Sequence, residues 1–222
     1  GTFFKNEAFL KAVDHVHQNN SHLHIMGLIS SGSVHSYIDH LYAVFEFTKR
    51  ENINPVYLHV FTDGKDAPPE EAADFLEKLE QKLKTDWPNV KIASVIGRYY
   101  AMDRQDKWDR TEKAYNHLAK GEGEKVASIP EYIRASYSKK VTDEFLEPAY
   151  AVDCADGFIK ENDAVIITDF REDSMRQIAH ALTDEKFDHF ARTQIPNLFV
   201  ATMTEYEKGI NAAAAFPKLD IN

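Results

Sequence analysis

The sequence predicts an α/β protein with three layers, in which a mostly parallel central sheet is covered by helices on both faces. Two observations carry this prediction. Short apolar runs typical of buried strands alternate along the chain with amphipathic patterns typical of helices. The 222 residues, of which 43 % are hydrophobic, suffice for one substantial core, and they contain no internal repeat.

Apolar runs predict the strands of the sheet. Most are rich in Val, Ile, Leu or Phe, which is typical of strands that are buried on both faces. In chain order, the expected strands lie at about 22–29, 56–61, 90–96, 164–167 and 197–203. The segment 143–163 looks irregular and allows a hairpin, and the last strand is a candidate antiparallel member of the sheet.

Amphipathic patterns predict the helices between the strands. Pro68 and Pro69 open the third helix, because proline is tolerated in the first turn, and Trp87 follows its end. Gly121 is suited to the C-terminal cap of the fourth helix. In chain order, the expected helices lie at about 9–17 and 36–51, from Pro68 to Trp87, from just after Arg104 to Gly121, and at 129–138.

The composition limits the class of partner. A net charge of −10 argues against broad binding to nucleic acid or to anionic membranes. No apolar run approaches the ~20 residues that span a bilayer, and no secretory signal is visible. The single cysteine, Cys154, excludes an internal disulfide and is expected to fill space in the core. The cysteine count fits a cytoplasmic protein. The acidic charge does not argue against a small anionic ligand, because screening limits the reach of distant charges to ~8–10 Å.

The most informative segment is 97–110, which follows the expected strand at 90–96. It places Arg98 and Arg104 in the loop after a strand, and open α/β sheets bind their ligands at that edge. A guanidinium group is a fixed cation with a planar set of donors that fits a carboxylate or a phosphate. The alternative is that both arginines are solvated or pair with nearby aspartates.

Other strands end in loops that carry similar chemistry. His35 follows the first strand, Lys65 and Asp66 follow the second, and Arg171 follows the strand at 164–167. A protonated His35 can donate to an anionic oxygen. Asp66 can accept hydrogen bonds from hydroxyl groups, and it could act as a base if its pKa were raised. The alternatives are a loop or capping histidine, and an Asx turn or helix cap formed by Asp66.

Together these segments resemble the phosphotransferase domain of the cofactor-independent (2,3-bisphosphoglycerate-independent) phosphoglycerate mutases. The family motifs include H-L-M-G-L-x-S, D-G-R-D-x-P-P, G-R-Y-Y-A-M-D-R and F-R-x-D-R-x-R-Q. The matching segments of this chain are 24–37, 63–69, 97–110, 141–145, 169–177 and 201–206. The resemblance covers essentially the whole chain, and the segment around Arg98 and Arg104 makes it specific.

The resemblance implies an enzyme that interconverts 2- and 3-phosphoglycerate in glycolysis. Residues 1–222 would form a single phosphotransferase-type domain, normally inserted in an alkaline-phosphatase-like domain that this chain lacks. That second domain would carry a serine nucleophile and two manganese ions, whereas this domain would orient the glycerate and be inactive alone. The resemblance implies that Asp66 is both catalytic and substrate-binding. It also implies that five further residues bind the substrate, namely His35, Lys65, Arg98, Arg104 and Arg171. No metal site is expected within the chain.

Five residues depart from the family pattern: Ser33, Tyr37, Lys65, Thr168 and Ser174. Lys65 and Ser174 stand where the family has arginines, and Arg176 is not an obvious replacement because it would project differently on a helix. These departures leave two alternatives open. The chain could belong to a divergent mutase-like phosphotransferase or hydrolase for another phosphorylated acid, or it could be a free-standing anion-binding module.

Overall fold

The computed structural model describes residues 2–217 and contains a sheet of eight strands. The strands are β1 (Leu23–Leu28), β2 (Val56–Thr62), β3 (Val90–Gly97), β4 (Glu124–Val126), β5 (Ala149–Ala151), β6 (Ala164–Ile167), β7 (Phe199–Thr202) and β8 (Ala213–Ala214). The α-helices are α1 (Glu7–Asn19), α2 (Ile38–Arg50), α3 (Ala72–Asp86), α4 (Arg98–Ala101), α5 (Trp108–Lys120), α6 (Ile129–Ser138) and α7 (Arg176–Thr183). Short 3-10 helices lie at Thr2–Lys5, Asp143–Phe145, Val152–Cys154 and Glu172–Ser174. The expected domain span of 1–222 includes residue 1 and residues 218–222, which lie outside the described part.

The sheet has the strand order β4-β5-β3-β2-β1-β6-β7-β8. Every neighbouring pair is parallel except β3 and β5, where Ser94 pairs with Tyr150 in antiparallel register. The prediction of a mostly parallel sheet is confirmed. The last strand was a candidate antiparallel member, but it is not one, because β7 runs parallel to β6 with Val200 opposite Val165.

The segment 143–163 forms no hairpin. Its only strand, β5, pairs with β3 on one side and β4 on the other, so it joins the sheet instead of folding back on itself. The chain is led there by Leu146, whose carbonyl accepts a hydrogen bond from the Gly97 N–H at 2.8 Å. This contact extends the end of β3 and sets the path of the chain into β5.

Side chains of the strands alternate between two buried faces. On β1, Leu23 and Ile25 join the core that also contains buried residues of α1, α2, α3 and α6. Met26 and Leu28 join the opposite core, which contains buried residues of α5 and α7. Helices therefore cover both faces, which confirms the predicted three-layer α/β fold.

Helix α3 begins later than the sequence pattern indicates. Pro68 and Pro69 were expected to open it, but it starts at Ala72. The buried carboxylate of Asp143 accepts hydrogen bonds from the N–H groups of Glu71 and Ala72, both at 3.0 Å. Because a distant aspartate caps the helix, the start of α3 is set by tertiary contacts that no local pattern could reveal.

A chain of polar side chains crosses the buried sheet from β6 towards β3. The Asp163 carboxylate lies 3.1 Å from Nε2 of His24, and Nδ1 of His24 lies 3.0 Å from Nε2 of His59. Nδ1 of His59 in turn lies 2.8 Å from the Ser94 hydroxyl. Since the carboxylate can only accept, each member donates towards Asp163, and both histidines carry their proton on Nε2. We call these four residues the polar relay.

No helix among residues 2–217 is both long enough and apolar enough to cross a membrane.

Candidate functional site

The carboxyl ends of four parallel strands meet at one edge of the sheet. His35 follows β1, Asp66 follows β2, Arg98 begins α4 directly after β3, and Arg171 follows β6. The loops are linked by backbone contacts as well. The carbonyl oxygen of His35 accepts hydrogen bonds from the N–H groups of Phe170 at 2.8 Å and Arg171 at 3.4 Å. The structure thus brings these sequence-predicted residues to one place.

Two glycines allow the loops to approach so closely. A Cβ atom at Gly64 would lie 2.6 Å from the backbone nitrogen of Glu144, and Gly64 has a φ of +69°, which side chains rarely adopt. A Cβ atom at Gly97 would lie 2.6 Å from the backbone nitrogen of Leu146. The segment 143–146 therefore packs directly against the ends of β2 and β3, and this packing fixes the backbone positions of Lys65 and Arg98.

Arg98 is the centre of a buried cluster. Its Nη1 donates to Asp63 and to Asp66, both at 2.7 Å, and its Nη2 lies 2.9 Å from Nε2 of His35. The arginine is only 8 % exposed. Sequence analysis left two alternatives for Arg98, a direct contact with the substrate or pairing with nearby aspartates. In the structure it lies in α4, pairs with two aspartates and holds Asp66 and His35. Its contact with a substrate stays a prediction.

Asp63 organises this cluster, and sequence analysis did not single it out. Its carboxylate accepts hydrogen bonds from the backbone N–H groups of Lys65 and Asp66, at 3.1 and 2.9 Å, and from the Ser30 hydroxyl at 2.8 Å. Burial alone would raise the pKa of Asp63, but these bonds and Arg98 outweigh it and leave the pKa below its usual value. Its position directly after β2 was the sequence feature that could have identified it as a site residue.

His35 is neutral at physiological pH. Burial, reinforced by the charges of Arg98 and Arg171, lowers the pKa of His35 to about 4. Nε2 of the neutral ring accepts from Arg98, and its 3.4 Å approach to Asp66 is not an ion pair. The proton then sits on Nδ1, which is buried and has no hydrogen-bond partner among the described residues. Contact between His35 and a ligand stays a prediction.

Asp169 is a second acidic residue that the sequence analysis passed over. It follows β6 and is fully buried, with its carboxyl group accepting the Leu28 N–H at 3.1 Å. Burial raises the pKa of Asp169 to about 7, against the opposing effects of the Leu28 bond and of Arg98. The base of the site therefore contains a carboxyl group that titrates near neutral pH.

A second, more exposed cluster lies beside the first. One oxygen of Asp173 accepts hydrogen bonds from Arg104 and, at 3.0 Å, from Arg171. The side chains of Arg104 and Arg171 are 49 % and 39 % exposed. Ser174 is buried and donates to the other oxygen of Asp173 at 3.2 Å. These two arginines, unlike Arg98, present guanidinium groups to solvent at the rim of the site.

The remaining basic residues contribute less. Lys65 is 61 % exposed, and its ammonium group lies 3.9 Å from Glu144, which is a loose contact. Arg176 donates to the Tyr206 carbonyl at 3.1 Å and pairs with Glu207, so it does not take the place of a cation at position 174.

The arrangement is chemically suited to binding a small acid. It offers two half-exposed guanidinium groups, one exposed lysine and a partly exposed carboxylate, Asp66, that can accept hydrogen bonds from hydroxyl groups. Within residues 2–217, no group of three or more His, Cys, Asp and Glu side chains could hold a metal ion.

Comparison with known proteins gives a consistent result. Residues 1–208 match the family described as "BPG-independent PGAM N-terminus". A Moorella thermoacetica protein named 2,3-bisphosphoglycerate-independent phosphoglycerate mutase is 44 % identical over 223 residues, which cover 98 % of this chain and 43 % of that protein. A Clostridium perfringens protein of the same name is 45 % identical over 212 residues, which cover 94 % of this chain and 41 % of its own length.

The fold is also similar to a solved structure. The Leishmania mexicana phosphoglycerate mutase, crystallised at low cobalt concentration, superimposes with a TM-score of 0.89 and 28 % sequence identity. The match covers 100 % of this chain and 43 % of the crystallised chain. The present chain thus spans less than half the length of each of these relatives.

Proposed function

Because the chain belongs to the family of BPG-independent phosphoglycerate mutase N-terminal regions, we propose that it is the glycerate-binding and glycerate-orienting domain of such an enzyme. The complete enzyme would interconvert 2- and 3-phosphoglycerate in glycolysis. The proposal includes the small-molecule substrate, a cytoplasmic location, and a phosphatase-like domain into which this one is inserted.

One observation carries the proposal. Arg104 and Arg171 reach from different loops to the same carboxylate oxygen, that of Asp173, at the edge of the sheet. Two guanidinium groups that converge on one acidic oxygen can hold the carboxylate of a small acid in the same way. Asp66 lies in the neighbouring cluster, where it can accept hydrogen bonds from the hydroxyl groups of that acid.

The chemical role of this domain is positioning. Arg104 and Arg171 would bind the acid group, while Asp66, held by Arg98, would orient the hydroxyl that gives or receives the phosphoryl group. Neutral His35 could donate one further hydrogen bond through Nδ1. Holding the reacting hydroxyl in place supplies several kcal/mol without covalent chemistry, ~7 kcal/mol or more in favourable cases. The phosphatase-like domain would supply the serine nucleophile and two manganese ions, and no residue of this chain is assigned to them.

The test compares the 222-residue chain with the full-length protein in a coupled mutase assay with manganese. We expect turnover only from the full-length protein, because the chain offers positioning groups without a nucleophile. The control is an independent preparation of each, which excludes contamination by host enzyme. Sustained turnover by the isolated chain would contradict the proposed division of labour, and an inactive full-length protein would contradict the mutase assignment.

A second candidate is a related phosphotransferase or hydrolase that acts on another phosphorylated acid. The observation in its favour is Ser174, which stands at the arginine position of the family and bonds to Asp173 instead of facing a ligand. Assaying the full-length protein against several phosphorylated hydroxy acids separates the two. Higher kcat/KM for an acid other than phosphoglycerate would favour this candidate.

A further inference from the structure

We propose that Asp173 is a resident counter-anion that occupies the place of the ligand's acid group between Arg104 and Arg171, and so sets the affinity of the site. The inference rests on the proposed function, because it takes these two arginines as the groups that bind the acid. It adds an affinity-determining residue that the sequence analysis had not identified.

The geometry makes Asp173 a substitute for a ligand. A single oxygen of its carboxylate receives both guanidinium groups, one from the segment before α5 and one from the loop after β6. Two like charges brought together need an anion between them. An incoming carboxylate can satisfy both arginines only if Asp173 withdraws, since both would use the same donors.

Exposure shows that Asp173 can withdraw. Its side chain is 29 % exposed, and its two partners are more exposed still. Asp63 differs, because its side chain is only 1 % exposed. It accepts hydrogen bonds from two backbone N–H groups, from the Ser30 hydroxyl and from the Arg98 guanidinium. Ion pairs at such exposed positions are weak, so exchanging Asp173 for a ligand carboxylate is feasible, whereas displacing Asp63 would open the buried cluster.

The charge state and the neighbour of Asp173 agree with this role. Partial burial would raise the pKa of Asp173, but the hydrogen bonds from Arg104 and Arg171 outweigh it and lower the pKa, so the residue is ionised at neutral pH. Ser174 donates to its second oxygen and holds the carboxylate towards the arginines. The position where the family has a cation therefore stabilises the competing anion in this chain.

The experiment measures steady-state kinetics of the full-length protein with 3-phosphoglycerate for Asp173→Asn, Asp173→Glu and Asp86→Asn. Asparagine keeps the shape but removes the charge, and glutamate keeps the charge. Asp86 pairs with Lys82 at the end of α3, at the opposite edge of the sheet, and controls for the change in net charge. We expect Asp173→Asn to lower KM about threefold to tenfold with no fall in kcat. Asp173→Glu, which keeps the charge, should lower KM less than Asp173→Asn does, and Asp86→Asn should keep the parent KM.

The outcomes separate this inference from the proposed function. If the parent turns over phosphoglycerate but Asp173→Asn raises KM or lowers kcat, Asp173 positions the arginines and the inference is wrong while the function stands. An equal fall in KM for Asp86→Asn would also overturn it. If the parent shows no turnover, the proposed function fails, and sulfate titration decides the inference: Asp173→Asn must bind sulfate more tightly than the parent, and equal binding overturns it.

Discussion

Arg98 and Arg104 carry the same charge six residues apart, but they lie in different surroundings. Arg98 is buried and connects Asp63, Asp66 and His35, whereas Arg104 is half-exposed and contacts Asp173. Removing a buried ionic partner leaves another charge without compensation, while removing an exposed one does not. The two arginines therefore offer a matched pair that separates support of the fold by Arg98 from the ligand binding proposed for Arg104.

We expect Arg98→Ala to lower the free energy of unfolding by ~3–5 kcal/mol, since it strands the buried carboxylate of Asp63. Arg104→Ala should change it by about 0.5 kcal/mol or less, yet remove ~2–3 kcal/mol of transition-state binding in the full-length enzyme. Urea unfolding of both variants and their kcat/KM values test this. Equal destabilisation by the two substitutions, or normal kinetics of Arg104→Ala, would contradict it.

Asp169 leads to a prediction with a defined pH dependence. Burial raises the pKa of Asp169 to about 7, so the folded protein holds a proton there that the unfolded chain releases near its ordinary pKa of ~3.9. The folded state is therefore favoured at low pH and loses this advantage as the pH rises to about 7. Asp169→Asn removes this titrating group. The free energy of unfolding of the variant minus that of the parent should therefore increase by ~1–3 kcal/mol from pH 5 to pH 8.

The matched control is Asp163→Asn, in the polar relay. Burial would raise the pKa of Asp163, but His24 and backbone N–H groups lower it overall, so the charged form is the stable one and this substitution should destabilise the protein at pH 8. Urea unfolding at both pH values provides the measurement. The same sign of effect for the two variants would show that burial does not govern Asp169.

At the scale of elements, the junction of β3 with α4 determines where Arg98 is placed. Gly97 lets the backbone of Leu146 approach, and the resulting hydrogen bond aligns the turn that precedes β5. Gly97→Ala should lower the free energy of unfolding by about 1–3 kcal/mol, because the added methyl group meets backbone atoms, not a flexible side chain. Urea unfolding measures it, and a change below ~0.5 kcal/mol would show that the segment after Asp143 moves aside freely.

Elements with a long pattern were predictable, and short ones were not. The stripe that includes Leu76, Leu79 and Leu83 identifies α3 from sequence alone, whereas β4, β5 and β8 have two or three residues each, too few to show a period. The antiparallel position of β5 follows from its contact with β3, which lies more than fifty residues earlier. Pairing between strands so far apart in sequence is a tertiary contact, which the local spacing of residues cannot predict.

At the scale of the whole molecule, topology explains why the site was partly predictable. Parallel strands bring their carboxyl ends together, so Arg104, Arg171 and His35 could be placed at one edge from their positions after strands. Their partners could not be identified, because a sequence does not show which aspartate satisfies which arginine. Asp63 and Asp66 lie three residues apart in sequence, yet the side chain of Asp63 is 1 % exposed whereas that of Asp66 is 26 % exposed.

Buried histidines make the whole fold sensitive to acid. Burial lowers the pKa of His24 and His59, and it lowers the pKa of His35 and His117 to about 4. Below the unfolded pKa of ~6.5, the unfolded chain therefore binds more protons than the folded protein at these histidines. For His35 and His117, stability falls with decreasing pH by ~1.4 kcal/mol per pH unit each, down to about pH 4. Asp169 acts in the opposite direction, because the folded protein holds one proton there that the unfolded chain releases.

The expected result is a marked loss of stability from pH 7 to pH 5 in urea unfolding. His117→Gln should reduce that pH dependence by about one proton, and the exposed His17→Gln is the control for replacing a histidine. A stability that stays flat or increases towards pH 5 would show that the buried histidines accept protons in the folded state.

The two ends of the described chain meet on the surface. Phe3 stacks on Phe216 with ring centroids 6.1 Å apart, and the Asn6 amide donates to the Ala215 carbonyl at 2.7 Å. A pulling force applied at both ends would therefore act first on these two contacts, before it reached the strands whose loops form the candidate site.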